Sequence, residues 1–552
     1  MNCKAWRSAA MLLALPWLLA NCDKPKTPKD LTPTGGSDSR VGPPSGYAET
    51  TVAMVPPQKM STGHARGIVT APGLGYVTWD FDPASGPIGA ANTIAAPSSV
   101  FGNSRAPGFA GGSNDNQMVR LPSGEILVAR QGGFTDPPAP GQAYPPWWNY
   151  MTGNEGYRGG IALWKYDPAA DTLRFHGKID TLTQVIGGEI GQGAWPRTGL
   201  DNGLLTKIPG GVDRFELYLD PWSQKLFASM SVVSRVNGGA DPDYPYGRSP
   251  RTELASLVLF RSDDLGKTWT QVNFQGPTST GFPSGWVPGA MTSTASGHLF
   301  LARSADGGKI RISRLDISTG AVKGEVDAVG TDGNSPLPLG VAGTPPANTA
   351  CYGAPSFFYK GVEMCNALVA PIHMTRVFGD ATGDTVRIAY SSVKGVKQVG
   401  VVLTVRFSNS ASEPGNLVLT KVIEAEDAQG SVFAPTFIET DAVELPQASN
   451  VALLYWLESH PSTNSMFNAR YMIWKNSDYS AIADLSVKNG ARRYFDPAHD
   501  PEAVNSTIWF GDYLKGGFAY DGTNLNFLAQ WPESGWSPAT EMHYRDIVVA
   551  PQ

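Results

Sequence analysis

Seven residues spread between positions 115 and 513 carry the side-chain types needed to hold an acidic ligand and move a proton on it. Arg130, Arg197 and Arg303 offer planar guanidinium forks that pair with a carboxylate through two parallel hydrogen bonds. Asp115, Glu458 and Asp512 can supply or remove a proton, and Tyr513 adds a phenol. Asp201 and Asp220 extend the carboxylate set toward substrate contacts. A second group, Trp147, Trp148 and Tyr150, lies with Tyr144 and Tyr157 among prolines and glycines between 131 and 160. Aromatic rings on such a segment can stack on the apolar face of a sugar ring while its hydroxyls stay free to hydrogen-bond. Both groups have a structural alternative: the charged residues could cap the fold as salt bridges, and the aromatics could pack as a small lid core.

Residues so far apart meet only if repeated elements bring them to one place. The chain has 552 residues, with 62 glycines, 44 prolines and 17% charged residues, which suits many short strands joined by tight turns. Beyond residue 110 one unit recurs: an apolar strand, a Gly-containing turn and a second strand ending in polar residues. The copies are Met118 to Arg130, Leu204 to Asp220, Met291 to Arg303, Thr436 to Glu458 and Tyr513 to Trp531. Strand-turn-strand of this kind forms the inner half of a four-stranded antiparallel blade. The expected fold is therefore an all-β propeller of six blades, with a seventh left open around 351–425. The last blade is one strand short, and Gly75 to Phe81 is the expected strand to complete it and remove the open edges.

That topology decides which residues border the central channel on the face of the long connections. Asp115, Asp201, Asp512 and Tyr513 open first strands. Arg130, Asp220, Arg303 and Glu458 close second strands, with Arg197 on a neighbouring loop. Connections into first strands and from second to third strands are the long ones, and long loops usually carry function.

Ser262-Asp263-Asp264-Leu265-Gly266-Lys267-Thr268-Trp269 resembles the Asp-box, S-x-D-x-G-x-T-W, of sialidases and many other propellers. In this pattern Asp264 accepts turn amides and Gly266 supplies a positive φ. The Ser262 and Thr268 hydroxyls satisfy stray polar groups, and Trp269 fills the seam between blades. It is a folding device with no catalytic content. Ser304 to Gly308 is expected to be a plain hairpin between second and third strands, whereas Asp167 to Asp171, Asp316 to Gly320, Ser408 to Gly415 and Asn476 to Ser480 are third-to-fourth turns. With Gly511-Asp512-Tyr513 and Phe527 to Trp531, the chain resembles bacterial sialidase-superfamily proteins over about residues 70 to 550. The resemblance implies a glycan-directed role, as glycoside hydrolase or polysaccharide lyase. A non-catalytic carbohydrate- or protein-binding propeller, or a scaffold of the cell envelope, stays open beside it. Arg120-Leu121-Pro122 is similar to the family's arginine motif but is expected on the opposite face.

Lys4 and Arg7 precede an apolar run, Ala9 to Ala20, of signal-peptide length and too short to span a bilayer. Leu18 to Cys22 resembles a bacterial lipobox, which would make Cys22 a lipid-modified residue and hold the exported protein at a membrane. The expected division is a signal peptide over 1–21, a disordered tether over 22–61 and the propeller over 62–552. Some 35 tether residues would reach about 30 Å. Cys351 and Cys365 are the expected disulfide, stabilising by about 3 kcal/mol in the chain-entropy model. A formal charge of −6 without a basic cluster excludes nucleic acid as a partner. No cofactor or metal site is expected from residue spacing, and a structural cation is left open.

Overall fold

The computed structural model describes residues 38–41, 52–71, 75–82, 86–94, 116–132, 160–180, 211–235, 253–272, 278–280, 290–305, 309–328, 356–359, 362–365, 372–394, 397–409, 415–460, 465–476, 478–484, 516–520, 525–533 and 541–549. These residues fold as antiparallel four-stranded meanders. Blade 1 is Val52–Val55, Ala65–Ala71, Gly75–Asp82 and Gly86–Ile94; blade 2 is Asn116–Arg120, Ile126–Gly132, Gly160–Asp167 and Thr172–Asp180. Blade 3 follows with Gly211–Leu219, Leu226–Arg235, Glu253–Ser262 and Thr270–Gln271, and blade 4 with Ala290–Thr294, His298–Ala305, Lys309–Asp316 and Val322–Ala328. His373–Gly379, Gly383–Lys394, Lys397–Ser408 and Asn416–Ile423 form blade 5, and Val432–Glu439, Val451–His460, Ser465–Lys475 and Asp478–Tyr479 form blade 6. Blade 7 combines Gly516–Tyr520, Leu525–Glu533 and Glu541–Val549 with Asp38–Val41 from near the chain start. Thr278–Thr280 and Ala483–Asp484 add short pairings to the third strands of blades 3 and 6, and a hairpin of Ser356–Tyr359 with Val362–Cys365 lies between blades 4 and 5.

The first strand of each blade touches that of the next, and the blade 7 first strand touches that of blade 1, so the inner strands close a ring of seven. The expected all-β propeller forms, with the larger of the two blade counts. The added blade is the N-terminal one, while residues 373–423 make a single regular blade.

Three boundaries move. The expected tether stops earlier, because Val52–Val55 is the inner strand of blade 1 and Asp38–Val41 pairs with Glu541–Val549. Gly75–Asp82 is the third strand of blade 1, so closure is made by Asp38–Val41 instead. The reason is composition: Asp-Ser-Arg-Val pairs through its backbone at a sheet edge and shows no apolar period, and Val-Ala-Met-Val is a four-residue run followed by two prolines. In blade 3 the first strand is Gly211–Leu219, one strand later than Leu204 to Ile208.

Blade faces alternate along every strand and pack into the seams. Leu127, Leu163, Phe215, Leu226, Phe260 and Trp269 fill the seam between blades 2 and 3, and Trp456, Trp474, Leu454 and Val402 that between blades 5 and 6. The antiparallel order divides the connections by face. First-to-second turns, such as 121–125, 220–225 and 295–297, and third-to-fourth turns, such as 168–171 and 263–269, lie on a short-turn face. The connections 95–115, 133–159, 181–210, 236–252, 329–372 and 485–515 all join strands at the opposite, long-connection face.

Candidate functional site

The first strands of all seven blades line a central cavity of about 220 Å³. Its wall is apolar through Met54, Met118, Met291, Met374, Phe437 and Phe518, and polar through Arg120, Glu216, Tyr218, His373 and Glu439. At the short-turn end, side chains of blades that are not neighbours meet across the axis. Glu439 of blade 6 accepts from the Thr292 hydroxyl of blade 4 at 2.8 Å and from the Arg376 amide of blade 5 at 2.6 Å. The Arg376 guanidinium lies 3.1 Å from the second Glu439 oxygen, donates to the Thr440 carbonyl at 2.6 Å and sits 5.5 Å from the Trp222 ring centre of blade 3. Arg120 of blade 2 pairs with Glu444 of blade 6 and stacks 4.7 Å over Phe518 of blade 7. Tyr218 Oη accepts the Ser293 amide at 2.9 Å and meets the Ser293 hydroxyl at 2.7 Å; that hydroxyl donates to Asp220 at 2.6 Å.

The electrostatics of this end favour holding over reacting. Burial pushes the Glu439 carboxyl up, against the pull of Arg376 and of the amide and hydroxyl donors. Burial and the nearby Glu439 charge push the Tyr218 phenol well above its ordinary range, which keeps it protonated and a poor nucleophile. Burial lowers Arg120, partly restored by Glu444 and Asp441.

Three of the residues expected at the channel mouth are engaged elsewhere. Arg303 shares the blade face of Leu299 and Leu301, which fill the seam between blades 3 and 4. It is 2% exposed and pairs with Glu325 at 3.2 Å, and burial lowers it to about 10 against the Glu325 charge. Glu458, 1% exposed, accepts from Trp456 Nε1 at 2.8 Å, the Glu426 amide at 3.1 Å and Arg470 at 3.3 Å. Asp220 is not at the long-connection mouth. With the blade 3 strands shifted, it caps a first-to-second turn on the opposite face, accepting the Ser223 amide at 2.7 Å. Salt bridging and turn capping thus account for the described side chains of this set. Arg130 stands in Ile126–Gly132 opposite Asn116, near the long-connection end of blade 2. Asp115, Arg197, Asp201, Asp512, Tyr513, Trp147, Trp148, Tyr150, Cys22 and Cys351 lie outside the described residues, and Cys365 ends the strand Val362–Cys365.

Sequence reasoning missed Tyr218, Arg376 and Glu439. Each lies near the short-turn end of a first strand, whereas the mouth was expected at the opposite strand ends. Arg120 does lie at that short-turn end. A Ser296–His298–Asp384 trio joins blades 4 and 5, yet Ser296 Oγ at 2.9 Å and Asp384 Oδ2 at 3.0 Å meet the same His298 nitrogen, Nδ1. A relay needs them on opposite nitrogens, so this is a seam clamp. Among the described residues no group of three or more His, Cys, Asp or Glu could hold a metal ion.

The Ser262–Trp269 turn links the third and fourth strands of blade 3. Asp264 accepts the Thr268 amide at 2.8 Å, the Lys267 amide at 3.1 Å and the Thr268 hydroxyl at 2.6 Å. Ser262 Oγ accepts the Gly266 amide at 2.7 Å, Gly266 has φ +98°, and Trp269 Nε1 donates to the Gly266 carbonyl at 3.1 Å. The turn docks on blade 2 so closely that a Cβ at Gly177 would stand 2.4 Å from the Gly266 oxygen.

No protein-family model and no curated protein matches the chain. Among solved structures, a mutant of the NanB sialidase from Streptococcus pneumoniae is 9% identical, with a TM-score of 0.39 over 80% of this chain and 70% of that one. An alpha-L-arabinofuranosidase from Fusarium graminearum is 12% identical, with 0.37 over 78% and 92%. The Aleuria aurantia lectin is 10% identical, with 0.34 over 81% and 99%. Likeness at these scores assigns neither fold nor activity; the propeller follows from this chain's own strand pairing.

Proposed function

We propose that the chain is an exported, lipid-anchored propeller that binds an acidic glycan at its long-connection face. The carrying observation is the division of the two faces. Arg376, Glu439, Arg120 and Glu444 near the short-turn end are committed to inter-blade contacts, whereas the segment with Trp147, Trp148 and Tyr150, the strand entry beside Asp115 and the segments that carry Arg197 and Asp512 belong to connections on the other face. Export and anchoring are supported by the Ala9 to Cys22 segment alone. Binding is favoured over turnover because Arg303, Glu458 and Asp220 are engaged within the fold, which leaves a catalytic set to Asp115, Arg130, Arg197, Asp512 and Tyr513.

The test is titration of the protein with uronate- and sialate-containing polysaccharides, with product analysis alongside. Saturable binding without product is expected, weakened at least tenfold in Trp147→Ala/Trp148→Ala. Released sugar or unsaturated product, abolished in Tyr513→Phe, would instead make the protein a glycan-cleaving enzyme. Equal affinity of the double variant would remove the aromatic platform from the site.

A further inference from the structure

The central cavity carries a chemistry that the glycan reading does not use. Four methionines border it, each from the inner strand of a different blade: Met54 of blade 1, Met118 of blade 2, Met291 of blade 4 and Met374 of blade 5. In the closed ring of seven, blades 1 and 2 face blades 4 and 5 across the axis, with blade 3 on one side and blades 6 and 7 on the other. Thioethers therefore border the same space from two opposite sides. Thr292 and Thr375 both donate to one Glu439 oxygen, at 2.8 and 3.4 Å, which sets Met291 and Met374, the residues before them, at one level. Met118 stands two residues before Arg120, whose guanidinium stacks on Phe518. Met54 lies beside the residue before Phe518, since a Cβ at Gly517 would stand 3.6 Å from that of Met54.

Methionine is a common filler of irregular core gaps. A filler closes its gap, whereas these four surround an open volume of about 220 Å³. Water is a poor occupant of their stretch of wall, because a buried water needs several polar partners and a thioether is only a weak acceptor. The polar groups at the short-turn end are already engaged, Tyr218 with Ser293, Glu439 with Arg376 and Arg120 with Glu444. Hard cations do not suit the donor set: calcium and magnesium take oxygen ligands, and among the described residues no group of three or more His, Cys, Asp or Glu could hold zinc. Uncharged sulfur donors select a soft ion of low charge, which among the first-row metals is copper(I). His373 on the same wall adds an imidazole, a donor that copper also accepts.

We propose that the central cavity is a copper(I) site, with the thioethers of Met54, Met118, Met291 and Met374 as its ligands. Binding there needs no redox step. The ion lies inside the ring, apart from the glycan site on the long-connection face, so either reading can fail without the other.

The experiment loads the full chain, its thiols first blocked by alkylation, with copper(I) under ascorbate, and competes the ion away with a chromophoric copper(I) chelator. One ion per chain is expected to be retained, with a sulfur-dominated shell in copper K-edge absorption. Met291→Leu/Met374→Leu conserves volume, so its near-ultraviolet circular dichroism should match that of the natural chain while its copper(I) affinity falls at least tenfold. If that variant loses its fold, Met118→Leu carries the same comparison, and the absorption spectrum of the natural chain needs no variant. No ion held against the chelator, equal affinity in a folded leucine variant, or a shell of nitrogen and oxygen alone would each overturn the proposal. Equal retention of zinc would overturn it too, because a thioether cage discriminates against that ion.

Discussion

The two ends of the propeller axis join their described charges differently, between blades at the short-turn end and, for Arg303–Glu325 and Glu458–Arg470, within a blade at the other. At the short-turn end, Arg376 and Glu439 join adjacent blades while Thr292–Glu439 and Arg120–Glu444 join blades that do not adjoin, so every group named has a partner fixed by the fold. At the other end, the first strands are entered from connections such as 181–210 and 485–515, whose length varies from blade to blade. The difference teaches that charged residues near a channel are not interchangeable evidence for a site. Where they terminate a first strand at a tight turn they hold the ring together, and it is those bordering a long insert that the proposed ligand site draws on.

If that division holds, substitutions at the short-turn end should change stability and leave glycan binding intact. The largest effect is expected for Glu439→Leu, which leaves Arg376 buried without its carboxylate and should lower the unfolding free energy by about 3 kcal/mol in a denaturant titration. Asp220→Ala removes the acceptor for Ser293 and for the Ser223 amide, and a loss of about 2 kcal/mol is expected in the same measurement. Asp264→Ala should cost about 1 kcal/mol, since Asp264 itself is only partly buried.

Asp264 also predicts a pH dependence. Burial acts to raise it, but the Thr268, Ser262 and Lys267 donors outweigh this and hold it at about 2. Its contribution is therefore present above its ordinary value of 3.8 and lost as pH falls through about 2. Wild-type stability followed by thermal melts from pH 5 to 2 should fall more steeply than that of Asp264→Ala. The smallest stability effect is expected from Trp147→Ala/Trp148→Ala, within about 0.5 kcal/mol of wild type, although binding should fall at least tenfold. A large drop in melting temperature there would show the aromatics to be a packed lid and break the division.

Blades whose strands are apolar and joined by Gly turns were legible in the sequence. Met118 to Arg130 and Met291 to Arg303 are first and second strands as expected, and the segments at 167–171, 316–320, 408–415 and 476–480 do join third to fourth strands. Blade 1 was not legible, because its inner strand is four residues beside Pro56 and Pro57 and resembles a tether in composition. The closing strand was hidden for a related reason, as backbone pairing at an edge leaves no hydrophobic pattern. The charged residues exposed a further limit. Arg303 follows Leu299 and Leu301 at period two, which places it in a seam, but only the pairing with Glu325, 22 residues later, shows that its charge is matched there.

The pairing of Asp38–Val41 with Glu541–Val549 means that blade 7 waits for synthesis to reach its third strand. During synthesis, the earliest strand of the fold stays unpaired with Glu541–Val549 while six blades can already have formed behind it. Completion of the circle is then a late, non-local step, slow relative to meander formation. Any cleavage between Val41 and Val52 would leave that latch without its covalent link to blade 1.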